Sequence, residues 1–167
     1  MRDVLRTMPD TMVTLLTKNN MLDFPDYLDT QMRAEVRNRL GGTSEMTRLT
    51  DDYTEVKVSA SSTMQLKLLP YKGGKVILSI YTYLLNDSTG DSRIRFFDTK
   101  WNELEGRRFL PELRREAGCV VGASVAPADT GLTLQVKYPF NIYPQGEEPQ
   151  AAADREMVLR WNGKKFK

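Results

Sequence analysis

The stretch STMQLKLLPYKGGKVILSIYTYLL, residues 62–85, decides the fold class. Apolar side chains recur at every second position on both sides of YKGG, residues 71–74. A period of two is typical of a β-strand, and a glycine pair between two such runs predicts a tight hairpin. The first strand places Met64, Leu66 and Leu68 on one face, and the second places Val76, Leu78, Ile80 and Leu84 on one face and Tyr81 and Tyr83 on the other.

Further strand signals follow towards the carboxyl terminus, separated by turns. They are RIRFFD at 93–98, CVVGASV at 119–125, GLTLQVKYP at 131–139 and REMVLRWNG at 155–163. A short helix is predicted near LPELRREAG, residues 110–118, and a mobile loop at 144–156, which has two prolines and a glycine. Strands that do not alternate regularly with helices predict an antiparallel arrangement.

The amino-terminal part has a helical pattern. In LDFPDYLDTQMRAEVRNRLGG, residues 22–42, an apolar residue recurs every four positions, at Phe24, Leu28, Met32, Val36 and Leu40. We expect Asp23 to cap this helix, Pro25 to lie in its first turn, and Gly41 and Gly42 to end it. A shorter helix is predicted at 10–17, ended by TKNN at 17–20, and a helical stub before Pro9.

These patterns predict one α+β domain over residues 1–167. Its helical segment, 1–42, would pack on an antiparallel β-meander formed by 50–167, as a curved sheet or a sandwich. A chain of 167 residues with 40% apolar residues has enough material for one hydrophobic core.

Composition excludes several functions. The chain has no histidine and one cysteine, Cys119, so it cannot form a histidine-dependent catalytic triad, a histidine-ligated metal site or an intrachain disulfide. A net charge of +2 gives no reason to expect nucleic acid as a partner. No run approaches the roughly 18 apolar residues of a membrane-spanning helix, and no cofactor-binding motif is present.

Four aromatic residues are candidates for binding a ligand or partner: Tyr81, Tyr83, Trp101 and Trp161. In RFFDTKWNEL, residues 95–104, Phe96 and Phe97 lie on opposite faces of a strand, which favours two layers of packing over a pocket. At the carboxyl terminus, Asn162 and Gly163 predict a two-residue turn that pairs Trp161 with Lys164 and places Arg160 opposite Lys165.

Acidic residues suggest a second kind of site. NDSTGDS, residues 86–92, contains Asp87, Thr89 and Asp91 at alternate positions, which is a fragment of a calcium-binding loop. It lacks the glycine and the distant glutamate of the full loop, so a polar turn is the simpler interpretation. A carboxylate enzyme would need these acids, or Asp51, Asp52 and Asp98, to converge in one cleft.

Several strings together resemble a family catalogued as a domain of unknown function, number 3256. They are LLTKNNMLD at 15–23, MRAEVRNRLGG at 32–42, LTDDY at 49–53, LKLLP at 66–70 and DSRIRFFDTKW at 91–101, and the resemblance covers roughly residues 8–104. It implies a small exported protein of anaerobic Gram-negative bacteria, made with a leader that we expect to have been removed here. It implies no known activity and no catalytic residues.

Two functional hypotheses follow. The first is a non-catalytic binding or structural module of the bacterial envelope, periplasmic or secreted, which binds an envelope protein or a small ligand through exposed aromatic residues such as Tyr81 and Tyr83. The second is a carboxylate-dependent hydrolase that acts on sugar or peptide, with or without a divalent cation.

Overall fold

The computed structural model describes residues 1–86, 89–112, 119–137 and 155–167. These residues form helices α1 (Arg2–Thr7) and α2 (Lys18–Asp29), with 3-10 turns at Asp10–Met12 and Gly106–Arg108. The strands are β1 (Glu35–Arg37), β2 (Thr43–Leu49), β3 (Tyr53–Ser59), β4 (Ser62–Tyr71), β5 (Gly74–Asn86), β6 (Thr89–Phe97), β7 (Glu103–Leu104), β8 (Val120–Val125), β9 (Gly131–Lys137) and β10 (Arg155–Arg160). Neither helix in the described part of the chain has the length and apolar character needed to cross a bilayer.

The strands form two antiparallel sheets. Strands β1 to β7 form a seven-stranded meander in the order of the sequence, and β8, β9 and β10 form a smaller sheet with β9 in the centre. The helices cover one face of the meander, and the small sheet covers the other. The predicted fold class, α+β with amino-terminal helices on an antiparallel meander, is therefore confirmed.

Each face of the meander has its own apolar core. The helix-side core contains Leu5, Leu16, Phe24, Met64 and Leu66, all at most 1% exposed. The second core lies between the two sheets and includes Leu78, Ile80, Phe96, Leu134 and Phe166. Because side chains alternate along a strand, the same strands of the meander contribute alternate residues to the two cores.

The hairpin at residues 62–85 is confirmed. Tyr71 pairs with Gly74, and the two turn residues, Lys72 and Gly73, have φ values of 48° and 77°. Two positive φ angles give the turn whose twist matches that of the flanking strands. The predicted face assignments are correct, except that Leu84 is 40% exposed at the far end of β5.

The predicted helix at residues 22–42 is wrong at both ends. Helix α2 begins earlier, because Thr17 and Asn20 form a reciprocal capping box, so TKNN starts a helix instead of ending one. Asp23 and Pro25 consequently lie inside the helix. Only a 3-10 turn, Asp10–Met12, forms in the segment predicted to be a helix at 10–17, whereas the stub before Pro9 is α1.

Helix α2 ends at Asp29 because the chain reverses at Gln31, which has a φ of 56°. The N–H of Gln31 donates to the Leu28 carbonyl and that of Met32 to the Tyr27 carbonyl, which is the Schellman arrangement with glutamine in the position that glycine usually occupies. The following residues form strand β1, and Val36 pairs with Ser44.

The period of four in this segment was misleading. Met32 is 59% exposed and Leu40 80% exposed, so neither belongs to an apolar helical stripe. Instead, Ala34, Val36 and Asn38 are buried and the residues between them are exposed, which is a period of two. Gly41 and Gly42 belong to the connection between β1 and β2 and do not end a helix.

The carboxyl-terminal turn is longer than predicted. Trp161 pairs with Phe166, not with Lys164, and Arg160 exchanges backbone hydrogen bonds with Lys167. The side-chain oxygen of Asn162 accepts from the N–H groups of Lys164 and Lys165, which holds a four-residue loop. The two-residue turn, and with it the opposition of Arg160 and Lys165, is therefore wrong.

Polar side chains of the meander hold the small sheet in place. The N–H groups of Val121, Ala123 and Val125 point away from β9, and they donate to side-chain oxygens of Asp91, Ser92 and Gln65 respectively. These bonds satisfy the open edge of β8, which would otherwise present unpaired donors.

Lys67 makes a further connection between the two sheets. This lysine is 2% exposed; its Nζ lies 2.6 Å from the carbonyl oxygen of Pro127, after β8, and 2.8 Å from the Asp52 carboxylate. The buried ammonium therefore joins the meander to the turn after β8.

The predicted loop at 144–156 lies outside the described residues except for Arg155 and Glu156, which belong to β10. The predicted helix near 110–118 also lies mostly outside them.

Candidate functional site

A cleft of about 220 Å³ lies on the helix side of strands β5 and β6. Its floor is formed by Ser79, Tyr81 and Tyr83 of β5 and by Arg93 and Arg95 of β6, and its wall by Thr11, Met12 and Thr14 from the segment between the helices. We call this the arginine-tyrosine cleft. It lies where the helical layer leaves part of the meander open to solvent.

Strand register brings these side chains together. Odd-numbered residues of β5 face the helix side, and β6 pairs with it so that Tyr81 is opposite Arg93 and Ser79 opposite Arg95. Residues directly opposite in an antiparallel pair have side chains on the same face and in contact distance. The floor of the cleft therefore follows from the alternating pattern and from the register of one hairpin.

The two tyrosines have different environments. Tyr81 is partly buried against the helix-side core, and its hydroxyl donates to the Ser62 hydroxyl at 3.3 Å. Burial raises the pKa of Tyr81, so its hydroxyl stays protonated as a donor. Tyr83 is 58% exposed and leans on Tyr81, with 4.9 Å between the ring centroids. The ring of Tyr83 is therefore exposed to solvent on one side and packed against the Tyr81 ring on the other.

The two arginines also differ. Arg95 forms a two-pronged ion pair with Glu103, at 2.9 Å and 2.5 Å, and its guanidinium lies 4.7 Å from the centre of the Phe97 ring. The hydrogen bonds of this pair raise the pKa of Arg95 and lower that of Glu103. Arg93 is exposed, and within the described residues its guanidinium has no ion pair or hydrogen bond. Among the described residues, Arg93 therefore has no direct ion-pair partner, and it contributes to the lowered pKa of Glu103 from a distance.

The predicted tryptophan sites lie in the two cores. Trp101, 9% exposed, packs against Phe97 with 5.4 Å between ring centroids, and its N–H donates to the Thr7 hydroxyl at 3.3 Å. Trp161, also 9% exposed, donates to the Pro70 carbonyl at 2.8 Å. Both side chains are occupied by packing between elements, whereas Tyr81 is partly exposed and Tyr83 is 58% exposed.

The aromatic and acidic residues of the stretch 95–104 also have structural roles. Phe96 lies in the second core and Phe97 in the helix-side core, as the strand pattern predicts. Asp98 accepts from the backbone N–H groups of Lys100 and Asn102, and these bonds and one from the Asn102 side chain lower its pKa.

Of the three residues predicted as a metal site, Asp87 lies outside the described residues. Thr89 is 7% exposed at the start of β6, and Asp91 accepts from the Val121 N–H. Among the residues that the structure describes, no three acidic or cysteine side chains come together as a metal site would require. Asp52 is held by Lys67, and their ion pair contributes to a lowered pKa although burial alone would raise it.

The sequence patterns indicate Tyr81 and Tyr83 as candidates but do not indicate Arg93 and Arg95, which line the same cleft. The signal was present in RIRFF, residues 93–97, because two arginines two positions apart in a strand share one face. Pairing this strand with β5 would have placed them beside the tyrosines. The wall at Thr11, Met12 and Thr14 had no comparable signal, because its position depends on how the helices pack.

Comparisons with known proteins agree on family and fold. A family model described as "Protein of unknown function (DUF3256)" matches residues 1–129. A solved domain of an uncharacterized protein from Porphyromonas gingivalis W83 is similar, with a TM-score of 0.76 and 19% identity over 99% of this chain and 95% of that one. At this identity the likeness shows the fold alone. A comparison with curated proteins found no match.

Proposed function

The chain belongs to this family of unknown function, and we propose that it is a non-catalytic binding module of the bacterial envelope that holds a partner protein at the arginine-tyrosine cleft. The observation that carries this proposal is the combination, in one concave surface, of the exposed ring of Tyr83, which packs on Tyr81, with the exposed guanidinium of Arg93, which has no ion pair among the described residues. Tyrosine and arginine are among the residue types that contribute most of the energy at protein interfaces.

Pre-organisation supports the same role. Tyr81 is fixed by its hydroxyl bond and by the helix-side core, and it fixes Tyr83 in turn. Arg95 is fixed by Glu103 and by the Phe97 ring. Because these side chains are already ordered, little conformational entropy is lost when a partner binds.

The chemistry of the lining supports binding over catalysis. The cleft is lined by arginine, tyrosine, serine, threonine and methionine, and none of these lining groups is a carboxylate that could act as a general base. A hydrolase would also require a carboxyl group with a raised pKa, whereas those of Asp52 and Asp98 are lowered. No observation favours the hydrolase hypothesis over the binding module.

The envelope location rests on the family resemblance of the sequence. Fractionation of the native host tests it, with an antibody against the domain and markers for cytoplasm, periplasm and outer membrane. The proposal expects the protein with the envelope markers, and recovery only with the cytoplasmic marker would overturn this part of it.

The binding role is tested with immobilised variants. The parent domain, the double variant Y83A/R93Q and the control R48Q are incubated with solubilised envelope proteins. Arg48 is exposed on β2 and does not line the cleft, so R48Q makes the same change in charge elsewhere. A protein retained by the parent and R48Q but not by Y83A/R93Q is expected. Equal retention of every protein by all three contradicts the proposal.

A further inference from the structure

We propose that the group recognised in the arginine-tyrosine cleft is a single carboxylate of a partner polypeptide, from an acidic side chain or from the carboxyl terminus. This inference rests on the proposed function, since it names the chemistry of the partner at the same surface.

The charges that line the cleft favour a carboxylate. Among the residues that the structure describes, the lining contains two guanidinium groups and no acid. Glu103 neutralises Arg95, and the lowered pKa of Glu103 keeps that carboxyl ionised. Arg93 therefore leaves one positive charge to be matched, and a carboxylate matches it with one negative charge.

Neighbouring charges disfavour a phosphate. Glu103 lies close enough to Arg93 for that arginine to lower its pKa. A phosphate group carrying about two negative charges would exceed the charge of Arg93 and be repelled by Glu103.

Hydrogen-bond donors in the cleft fit the same group. A carboxylate has about four lone-pair positions, of which the fork of one arginine satisfies two. The hydroxyls of Ser79, Thr11, Thr14 and Tyr83 line the same space and supply donors for the others. Tyr81 is already committed as a donor to Ser62.

The volume of the cleft favours a side chain or a chain end as the bound group. The cleft of about 220 Å³ is smaller than the roughly 300–1,000 Å³ of pockets that enclose drug-sized ligands. A cleft smaller than such pockets suits one side chain or a chain end better than a whole small-molecule ligand. The exposed ring of Tyr83 then contacts the adjoining part of the partner.

The test uses amide and guanidinium NMR of the full chain with defined probes. Acetyl-tetraglutamate amide is expected to shift the resonances of Tyr81, Tyr83 and Arg93, and acetyl-tetraglutamine amide is expected to leave them unchanged. R93Q should weaken the binding of the glutamate peptide by about tenfold or more, because a charged hydrogen-bonding pair is lost. R48Q should not change it. E103Q should tighten it, since Arg95 becomes free to bind the peptide.

Three results overturn the inference. One is binding of the glutamate peptide that R93Q does not weaken, and another is an equal response to the glutamine peptide. The third is inorganic phosphate or galacturonate binding more tightly than the glutamate peptide. If any of these occurs while Y83A/R93Q still loses its retained protein, the proposed function stands and only the carboxylate is wrong. If the retention also proves insensitive to the variant, both fail.

Discussion

Replacing Trp161 with alanine should destabilise the whole domain, because this residue joins three parts of the second core. Its ring lies 6.1 Å from that of Phe109, 5.1 Å from that of Phe166 and 6.4 Å from that of Tyr71, measured between centroids. Its N–H donates to the Pro70 carbonyl at 2.8 Å. The truncated side chain would leave a cavity between the meander, the 3-10 turn at 106–108 and the carboxyl terminus.

The expected loss follows from the burial. Removing a largely buried tryptophan costs about 3–5 kcal/mol through lost transfer free energy and the remaining cavity. For a chain of this length, 1 kcal/mol corresponds to roughly 2–4 °C in Tm, so W161A should melt about 6–20 °C below the parent. W161F keeps an aromatic ring but loses the bond to Pro70, and it should cost only about 1–2 kcal/mol.

Urea unfolding followed by far-ultraviolet circular dichroism measures the free energies of unfolding of the parent and the two variants. If W161A stays within about 1 kcal/mol of the parent, the second core does not depend on the carboxyl-terminal segment and the reasoning is wrong. Removing all residues after Arg155 takes away both Trp161 and Phe166 and should leave the chain unfolded. A truncated chain with the parent's Tm would contradict the same claim.

Three further predictions concern single positions. Y81A should lower the free energy of unfolding by about 2 kcal/mol, because Tyr81 packs on the helix-side core, whereas Y83A should change it by no more than about 0.5 kcal/mol. Urea unfolding measures both values, and equal losses would contradict the difference in burial. Q31G should stabilise the protein by about 0.5–1 kcal/mol, since Gln31 has a φ of 56° that glycine adopts without strain, and a loss of stability would show that the Gln31 side chain matters. The pKa of Glu103 lies below its usual 4.5. Its ion pair with Arg95 should therefore stabilise the fold above about pH 5, and this stabilisation should be lost as the pH falls through the lowered pKa. A difference in stability between the parent and E103Q that does not depend on pH would refute this.

Local signals in the sequence were sufficient for most of the meander. The hairpin at residues 62–85 was predictable because strand period and turn residues agree, and both are set within a few residues. The faces of Tyr81 and Tyr83 followed from the same alternation.

The ends of helix α2 were harder because two patterns overlap in residues 32–40. A spacing of four at Met32, Val36 and Leu40 suggested a helix, but pairing with β2 and burial of Ala34 and Val36 favour a strand. The reversal at Gln31 had no glycine to mark it. The register of the carboxyl-terminal turn was likewise decided by side-chain bonds of Asn162 that a turn motif does not reveal.

The arginine-tyrosine cleft was half predictable. Its tyrosines were candidates from the sequence, but which arginine forms an ion pair among the described residues depends on where β7 places Glu103. Such a difference between two arginines of one strand arises from tertiary structure. It is also the feature on which the proposed specificity rests.

The most direct test of the central claim is the side-chain NMR resonance of the Arg93 guanidinium during titration with acetyl-tetraglutamate amide. We predict a saturating shift of the Arg93 resonance, with no shift for Arg48 and none for Arg93 when the tetraglutamine peptide is used. Binding of the glutamate peptide that leaves the Arg93 resonance in place, or that shifts Arg48 as much, would contradict the account.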